Sequence, residues 1–137
     1  MENVGPQFEN LCCMIVDDDK FSRSFIKTAL YQIGIKNIKE AASTTEAAEI
    51  LKNFKINLIL LDQIMEEQSG IEFASDIRNG KIVENKDIPI VMITVDNHEN
   101  TVLEAKKLQI KEYLVKPISP QALKKRIANT IGQEING

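Results

Sequence analysis

Five side chains in this 137-residue chain could handle a phosphoryl group, and they follow directly on four short apolar runs. Leu11-Cys12-Cys13-Met14-Ile15-Val16 ends at Asp17-Asp18, Leu58-Ile59-Leu60-Leu61 at Asp62, Ile88-Pro89-Ile90-Val91-Met92-Ile93 at Thr94, and Tyr113-Leu114-Val115 at Lys116. The chemistry of the set is complementary. A carboxylate is a competent nucleophile toward phosphorus. Neighbouring carboxylates suit Mg²⁺, which prefers hard oxygen ligands and relieves their mutual repulsion. A lysine supplies a point charge for a phosphoryl oxygen, and a threonine hydroxyl can donate to another.

Short apolar runs split by helical patterns predict an α/β fold with a parallel sheet. In such a sheet ligands sit outside the carboxyl ends of the strands, so the five groups are expected to converge on one edge. The strands are expected at Leu11–Val16, about Asn37–Ala41, Leu58–Leu61, Ile88–Thr94 and Glu112–Val115. Pro89 falls at the start of the fourth, where a proline is tolerated.

Helix one is expected from about Lys20 to Ile33, with Phe21, Phe25, Ile26, Ala29, Leu30 and Ile33 at helical spacing. Asp19 is its expected N-cap and Gly34 its stop. Ser43-Thr44-Thr45-Glu46 and Ser69-Gly70-Ile71-Glu72 have the form of capping boxes opening helices two and three, which run to about Phe54 and Arg78. Asn79-Gly80 breaks the pattern, and Lys81–Asp87 reads as a surface loop with no chemistry. Helix four is expected over about His98–Leu108, capped by Asp96 or Asn97. Ser119-Pro120 opens helix five as N-cap and N1, ending near Ile131-Gly132.

Length and a hydrophobic content of 43% fit one globular domain. Seventeen basic against twenty acidic residues leave a formal charge of −3, too little to suggest a nucleic-acid surface. Lys106, Lys107, Lys111, Lys124, Lys125 and Arg126 are scattered and read as a partner face or plain solubility. No long apolar stretch or leader pattern is present, so a cytoplasmic protein without membrane contact is expected. Cys12 and Cys13 point to opposite faces of a strand, so both read as buried small hydrophobes. His98, the single histidine, reads as a solvated helix-start residue.

Several motifs then stand in order: Val16-Asp17-Asp18 with Arg23 a turn into the helix, Leu61-Asp62 with Gly70 eight residues on, Ile93-Thr94, and Tyr113-Leu114-Val115-Lys116-Pro117. Gly34-Ile35-Lys36-Asn37-Ile38-Lys39-Glu40-Ala41 adds a further match. From Leu11 to Ile131 the chain resembles the receiver domain of two-component response regulators, the CheY-like superfamily. The resemblance implies a flavodoxin-like, doubly wound sheet in the order 2-1-3-4-5, shared by CheY itself, with five helices. The polar stretch 1–10, with Gly5-Pro6, reads as a flexible lead; the receiver domain is expected over 11–132 and a tail over 133–137.

The resemblance also implies roles. Asp62 would accept the phosphoryl group. Asp17 and Asp18, one directly and one through water, would hold Mg²⁺ together with Asp62 and the backbone carbonyl of Ile64. Lys116 would bind a phosphoryl oxygen, its approach set by a cis bond to Pro117. Thr94 would follow the phosphoryl group and Tyr113 would turn with it, changing the face built from helix four, strand five and helix five. The donor would be a sensor histidine kinase or a histidine phosphotransfer protein. The output would be a downstream protein target or a phosphorylation-dependent homodimer. Beyond its own phosphorylation and dephosphorylation no enzymatic activity is implied.

The chain departs from the family pattern in places. Glu66 stands where a proline is usual, Val95 where a smaller residue is common, and Leu108-Gln109-Ile110 where Ala-Gly-Ala is usual. Ile64 and Asp96 occupy the two positions that tune hydrolysis. Ile64 cannot hold an attacking water, whereas Asp96 offers a carboxylate, and slow self-dephosphorylation is expected. Three alternatives remain open: a receiver fragment of a larger regulator or hybrid kinase, a pseudo-receiver that binds partners without phosphorylation, and a magnesium phosphatase. The last lacks a second general acid and a cap domain.

Overall fold

In the computed structural model, which describes residues 8 and 10–136, with backbone alone for 133–136, strands and helices alternate throughout. The order is β1 (Cys12–Val16), α1 (Lys20–Gln32), β2 (Asn37–Ala41), α2 (Thr44–Asn53), β3 (Leu58–Leu61), α3 (Gly70–Arg78), β4 (Ile90–Thr94), α4 (Glu99–Lys107), β5 (Glu112–Val115) and α5 (Pro120–Asn136). All strand pairs are parallel and the sheet runs β2-β1-β3-β4-β5. Fold class, strand order and helix number agree with the sequence reading. Among the described residues no helix is long and apolar enough to cross a membrane.

The period-two alternation of the strands divides the core. Cys13, Ile15, Leu58, Leu60, Val91 and Ile93 pack with α1 and α5, while Met14, Val16, Ile59, Leu61, Ile90 and Met92 pack with α2, α3 and α4. Cys12 and Cys13 are both free and buried, on opposite sides of the sheet. Burial pushes the Cys13 thiol well up from its ordinary range, so it stays a protonated hydrophobe.

The helix starts follow local chemistry. Asp19 caps α1 by accepting from Phe21 N at 3.0 Å, and Gly34 ends the segment with φ of 101°. Ser69 and Glu72 form a complete capping box. At α2 the box is shifted: Ser43 Oγ accepts from Glu46 N, but the Glu46 carboxylate reaches Ala42 N at 2.8 Å. The N-cap position of α4 is His98, whose side chain makes no cap bond. Asp96, two residues upstream, accepts from His98 N, the usual reach of an Asx turn.

Four boundaries differ from expectation. Phe8, inside the segment read as a flexible lead, is 1% exposed and joins the α1/α5 side of the core. Residues 1–7 and 9 of that lead lie outside the described residues. On α1, Phe21 and Phe25 are exposed, because steps of four residues along a helix of 3.6 per turn carry them off the stripe formed by Ile26, Ala29 and Leu30. Helix α5 continues to Asn136 instead of stopping at Gly132; a helical glycine costs only about 1 kcal/mol. Strand β4 begins at Ile90, with Pro89 contributing only its carbonyl, to Ile59 N.

The connection before β4 is organised by Arg78, which sequence reading passed over. Its guanidinium donates to the carbonyls of Leu108, Lys86 and Ile88 at 2.6–2.8 Å. One side chain thereby pins the loop read as featureless to the end of α4.

Candidate functional site

Strand register brings the expected residues together. Val16 pairs with Leu61, so Asp17 and Asp62 leave the sheet side by side. Thr94 pairs with Val115, which places Lys116 one step beyond the end of β4. Ladder bonds continue past the strands, from Asp62 N to Val16 O at 2.9 Å and from Lys116 N to Thr94 O at 2.8 Å. The backbone holding all four residues is therefore part of the sheet.

Lys116 Nζ lies 2.8 Å from Asp17 Oδ2 and 3.1 Å from Asp62 Oδ2. Asp17 is 1% exposed, Asp62 7% and Thr94 0%. The other carboxylate oxygens are also engaged: Asp17 Oδ1 accepts from Asp19 N and Asp62 Oδ1 from Ile64 N. The Lys116-Pro117 bond is cis. Burial by itself would lower the Lys116 ammonium, but the hydrogen bond to Asp17 and the charges of Asp62 and Asp17 outweigh it and raise it. Stability from this cluster is thus complete below the ordinary lysine range and lost as pH rises through the raised value.

Asp18 does not join the pair. It is exposed, and among the described residues no three acidic, histidine or cysteine side chains form a ligand cluster. Of the three carboxylates, two meet the ammonium. One ammonium draws Asp17 and Asp62 onto itself, whereas a third carboxylate gains more from water than from a site already net negative. Two carboxylates against one ammonium still leave a formal charge of −1 at a barely exposed edge. Hard oxygen donors with uncompensated negative charge fit Mg²⁺.

The loop from β3 to α3 is held by Gln63, another residue that carried no sequence signal. Its side chain accepts from Ile71 N at 2.7 Å and its carbonyl from Gly70 N at 2.9 Å. Glu66, standing where a proline was expected, lines a 170 Å³ pocket with Asp18 and Glu67. The side chain of Ile64 is exposed, as is Val95.

Tyr113, on β5, donates its hydroxyl to the Asp96 carbonyl at 2.6 Å. Asp96 N in turn donates to Thr94 Oγ1 at 3.3 Å. The Asp96 carboxylate, expected to face an attacking water, instead accepts from His98 and Thr101. The backbone bond from His98 leads the contacts that lower its pKa. Burial, then the charges of Asp96 and Asp62, push the Tyr113 phenol up from 10.0 to about 12. In a Tyr31→Phe protein, whose one remaining phenol is Tyr113, ultraviolet titration is expected to show ionisation near 12 when folded. In denaturant it should return to about 10. Between those values the unfolded chain releases its proton first, so folding loses stability as pH rises.

An open doubly wound α/β domain with a charged ligand edge defines the class. Comparison with known proteins narrows it: the family model for the response regulator receiver domain matches residues 13–128, and the chain belongs to that family. It is 33% identical over 120 residues to a chemotaxis protein CheY homolog of Campylobacter jejuni, covering 87% of this chain and 91% of that one. It is 36% identical over 119 residues to the transcriptional regulatory protein YvrH of Bacillus subtilis, covering 87% of this chain and 48% of that protein. Among solved structures, CheY in the CheX-CheY-BeF3-Mg²⁺ complex from Borrelia burgdorferi superposes with a TM-score of 0.79 at 26% identity, covering 87% of each chain. The protein is a CheY-like receiver of two-component signalling.

Proposed function

We propose that Asp62 is the phosphoacceptor and that the chain works as a phosphorylation-controlled binding module. The observation that carries this reading is the Lys116 ammonium bridging Asp62 and Asp17 at the sheet edge. An Asp62 carboxylate oxygen attacks phosphorus, the phosphorus–nitrogen bond of a phosphohistidine donor breaks, and the imidazole leaves with the electron pair. Phosphoryl transfer needs positioning and charge neutralisation more than covalent assistance. Asp17, Asp18, Asp62 and the Ile64 carbonyl would hold Mg²⁺, which neutralises oxygen charge when bound. Lys116 releases its ion pair to meet a phosphoryl oxygen, and the Thr94 hydroxyl turns toward another. The chain turns over no separate substrate; its output is a population shift between two surfaces.

The test is intact mass after incubation with acetyl phosphate. One phosphoryl adduct, dependent on magnesium, is expected. No adduct and no beryllofluoride binding on folded protein would sink the reading and leave a pseudo-receiver. The half-length match to YvrH supports a second setting for the same chemistry, as the receiver module of a larger regulator.

An apolar collar supports a protein donor. Phe21 is 82% exposed and Val95 60%, and Phe25, Val95, Pro117 and Ile118 line a 330 Å³ apolar groove beside Lys116. Exposed aromatics so near a charged centre fit a phosphohistidine presented on an apolar helical face. Phe21→Ala is expected to slow transfer from a phosphohistidine protein about tenfold and leave the acetyl phosphate rate unchanged. Equal slowing of both would argue against the collar. Ile64→Asn is expected to speed phosphate loss from Asp62, since an amide there can orient water. Unchanged decay would show that Ile64 does not limit hydrolysis.

A further inference from the structure

Asp96 has four polar atoms, and each meets a different partner. Its amide donates to Thr94 Oγ1 at 3.3 Å, and its carbonyl accepts the Tyr113 hydroxyl at 2.6 Å. Oδ1 accepts from His98 N at 2.9 Å and faces His98 Nδ1 at 2.7 Å, while Oδ2 accepts from Thr101 Oγ1 at 3.1 Å. These partners sit at the end of β4, in β5, at the N-cap position of α4 and in the first turn of α4.

The side-chain and backbone bonds depend on each other. The direction of the Asp96 carbonyl is set by the rotation of its own peptide plane. The carboxylate restrains that rotation by gripping His98 N and Thr101, so it also aims the carbonyl at Tyr113. The same two bonds tie the carboxylate to the N-cap residue and the first turn of α4, where the N-cap side chain makes no cap bond. The Asp96 side chain is 13% exposed and that of His98 84%. The imidazole contact is therefore the weak member, as exposed pairs are, and the bonds to His98 N and Thr101 carry the restraint.

We propose that Asp96 is a positioning residue that makes Thr94, Tyr113 and the first turn of α4 move as one body, so that occupancy at Asp62 reaches α4 through it. This rests on the acceptor reading of Asp62. A residue that merely capped α4 would stabilise the helix without altering how Tyr113 answers the acceptor, and that difference is measurable.

The chain has two tyrosines, Tyr31 and Tyr113, so fluorotyrosine labelling of a Tyr31→Phe protein gives one reporter. Beryllofluoride with magnesium is the probe, since its own fluorine resonance reports acceptor occupancy in the same spectrum. In the parent protein the bound resonance should be accompanied by a Tyr113 shift and by amide shifts over Glu99–Leu103. At equal occupancy, Asp96→Ala should lose most of both responses. Asp96→Asn retains Oδ1 as an acceptor for His98 N and should restore most of the response. Thr101→Val, which removes one bond and leaves Asp96 in place, should give an intermediate loss and stands in if Asp96→Ala does not fold.

Full Tyr113 and α4 responses in Asp96→Ala, or in Thr101→Val if that variant alone folds, would overturn the proposal. Loss of the bound beryllofluoride resonance in Asp96→Ala would overturn it too, by placing the effect at the acceptor. Absence of that resonance in the parent protein is the separate failure of the acceptor reading, and the proposal would fall with it.

Discussion

Asp62→Ala is expected to take up no phosphoryl group from acetyl phosphate and magnesium, where the parent chain takes up one. The expected effect is all or none, because no other carboxylate combines the same neighbours. Asp17 shares the Lys116 ammonium, but it is the more deeply buried of the two, and Asp18 stands outside the pair. The loss should not come from unfolding. Two carboxylates now share one ammonium; removing Asp62 leaves Asp17 and Lys116 as a balanced pair. Charge repulsion falls, so the urea midpoint is expected to hold or rise. An adduct that persists in Asp62→Ala would move the acceptor elsewhere. A collapsed midpoint would mean that Asp62 is mainly structural.

The second large effect is expected at Gly70. A Cβ there would fall far inside contact distance of the Asp62 carbonyl oxygen, and 3.0 Å from both the Asp62 carbonyl carbon and Gln63 Cα. All three are backbone atoms that cannot rotate aside. Gly70→Ala is therefore expected to cost about 1–3 kcal/mol, as overpacking does, and to displace the acceptor residue itself. Adduct formation should slow together with the loss of stability. Gly132→Ala is the control: nothing lies within 4 Å of its Cβ position in α5. It should be neutral or stabilise by about 0.5–1 kcal/mol through helix propensity. A Gly70→Ala protein as stable and reactive as its parent would show that the α3 start shifts freely away from Asp62.

Both predictions join a residue type that sequence reading could find to a contact that it could not. Alternating runs and helix caps were legible because they are local. Each strand had to bury a continuous apolar stretch, and Asp19, Ser69 and Ser119 offer side chains suited to orphan amides at helix starts. The position of Gly70 was legible as part of a motif, while the reason for it is steric and lies in the path of the β3–α3 loop. Phe21 and Phe25 misled for a related reason. Steps of four residues read as one stripe in sequence, but on a helix of 3.6 per turn they drift, and the packing buries only the face centred on Ile26, Ala29 and Leu30.

Arg78 and Gln63 had no signal, since each bonds to backbone carbonyls or amides, which any sequence supplies. The acidic motif did not say which of its carboxylates meets the ammonium. Adjacency in sequence put Asp17 and Asp18 together, but neighbouring residues face different surroundings, and only Asp17 was turned toward Lys116.

What the sequence by itself determined is the order of the elements and the chemical types at their ends, because hydrophobic period and capping act over a few residues. What only the tertiary structure decided is which of those ends share charge and which side chains hold the loops between them. Register across β1, β3, β4 and β5 placed one ammonium between two carboxylates. The turn after β4 gave the four polar atoms of Asp96 partners on β4, on β5 and at the start of α4. The Lys116 pairs and the Tyr113 bond join residues far apart in the chain, and their geometry is set by packing that no local pattern encodes.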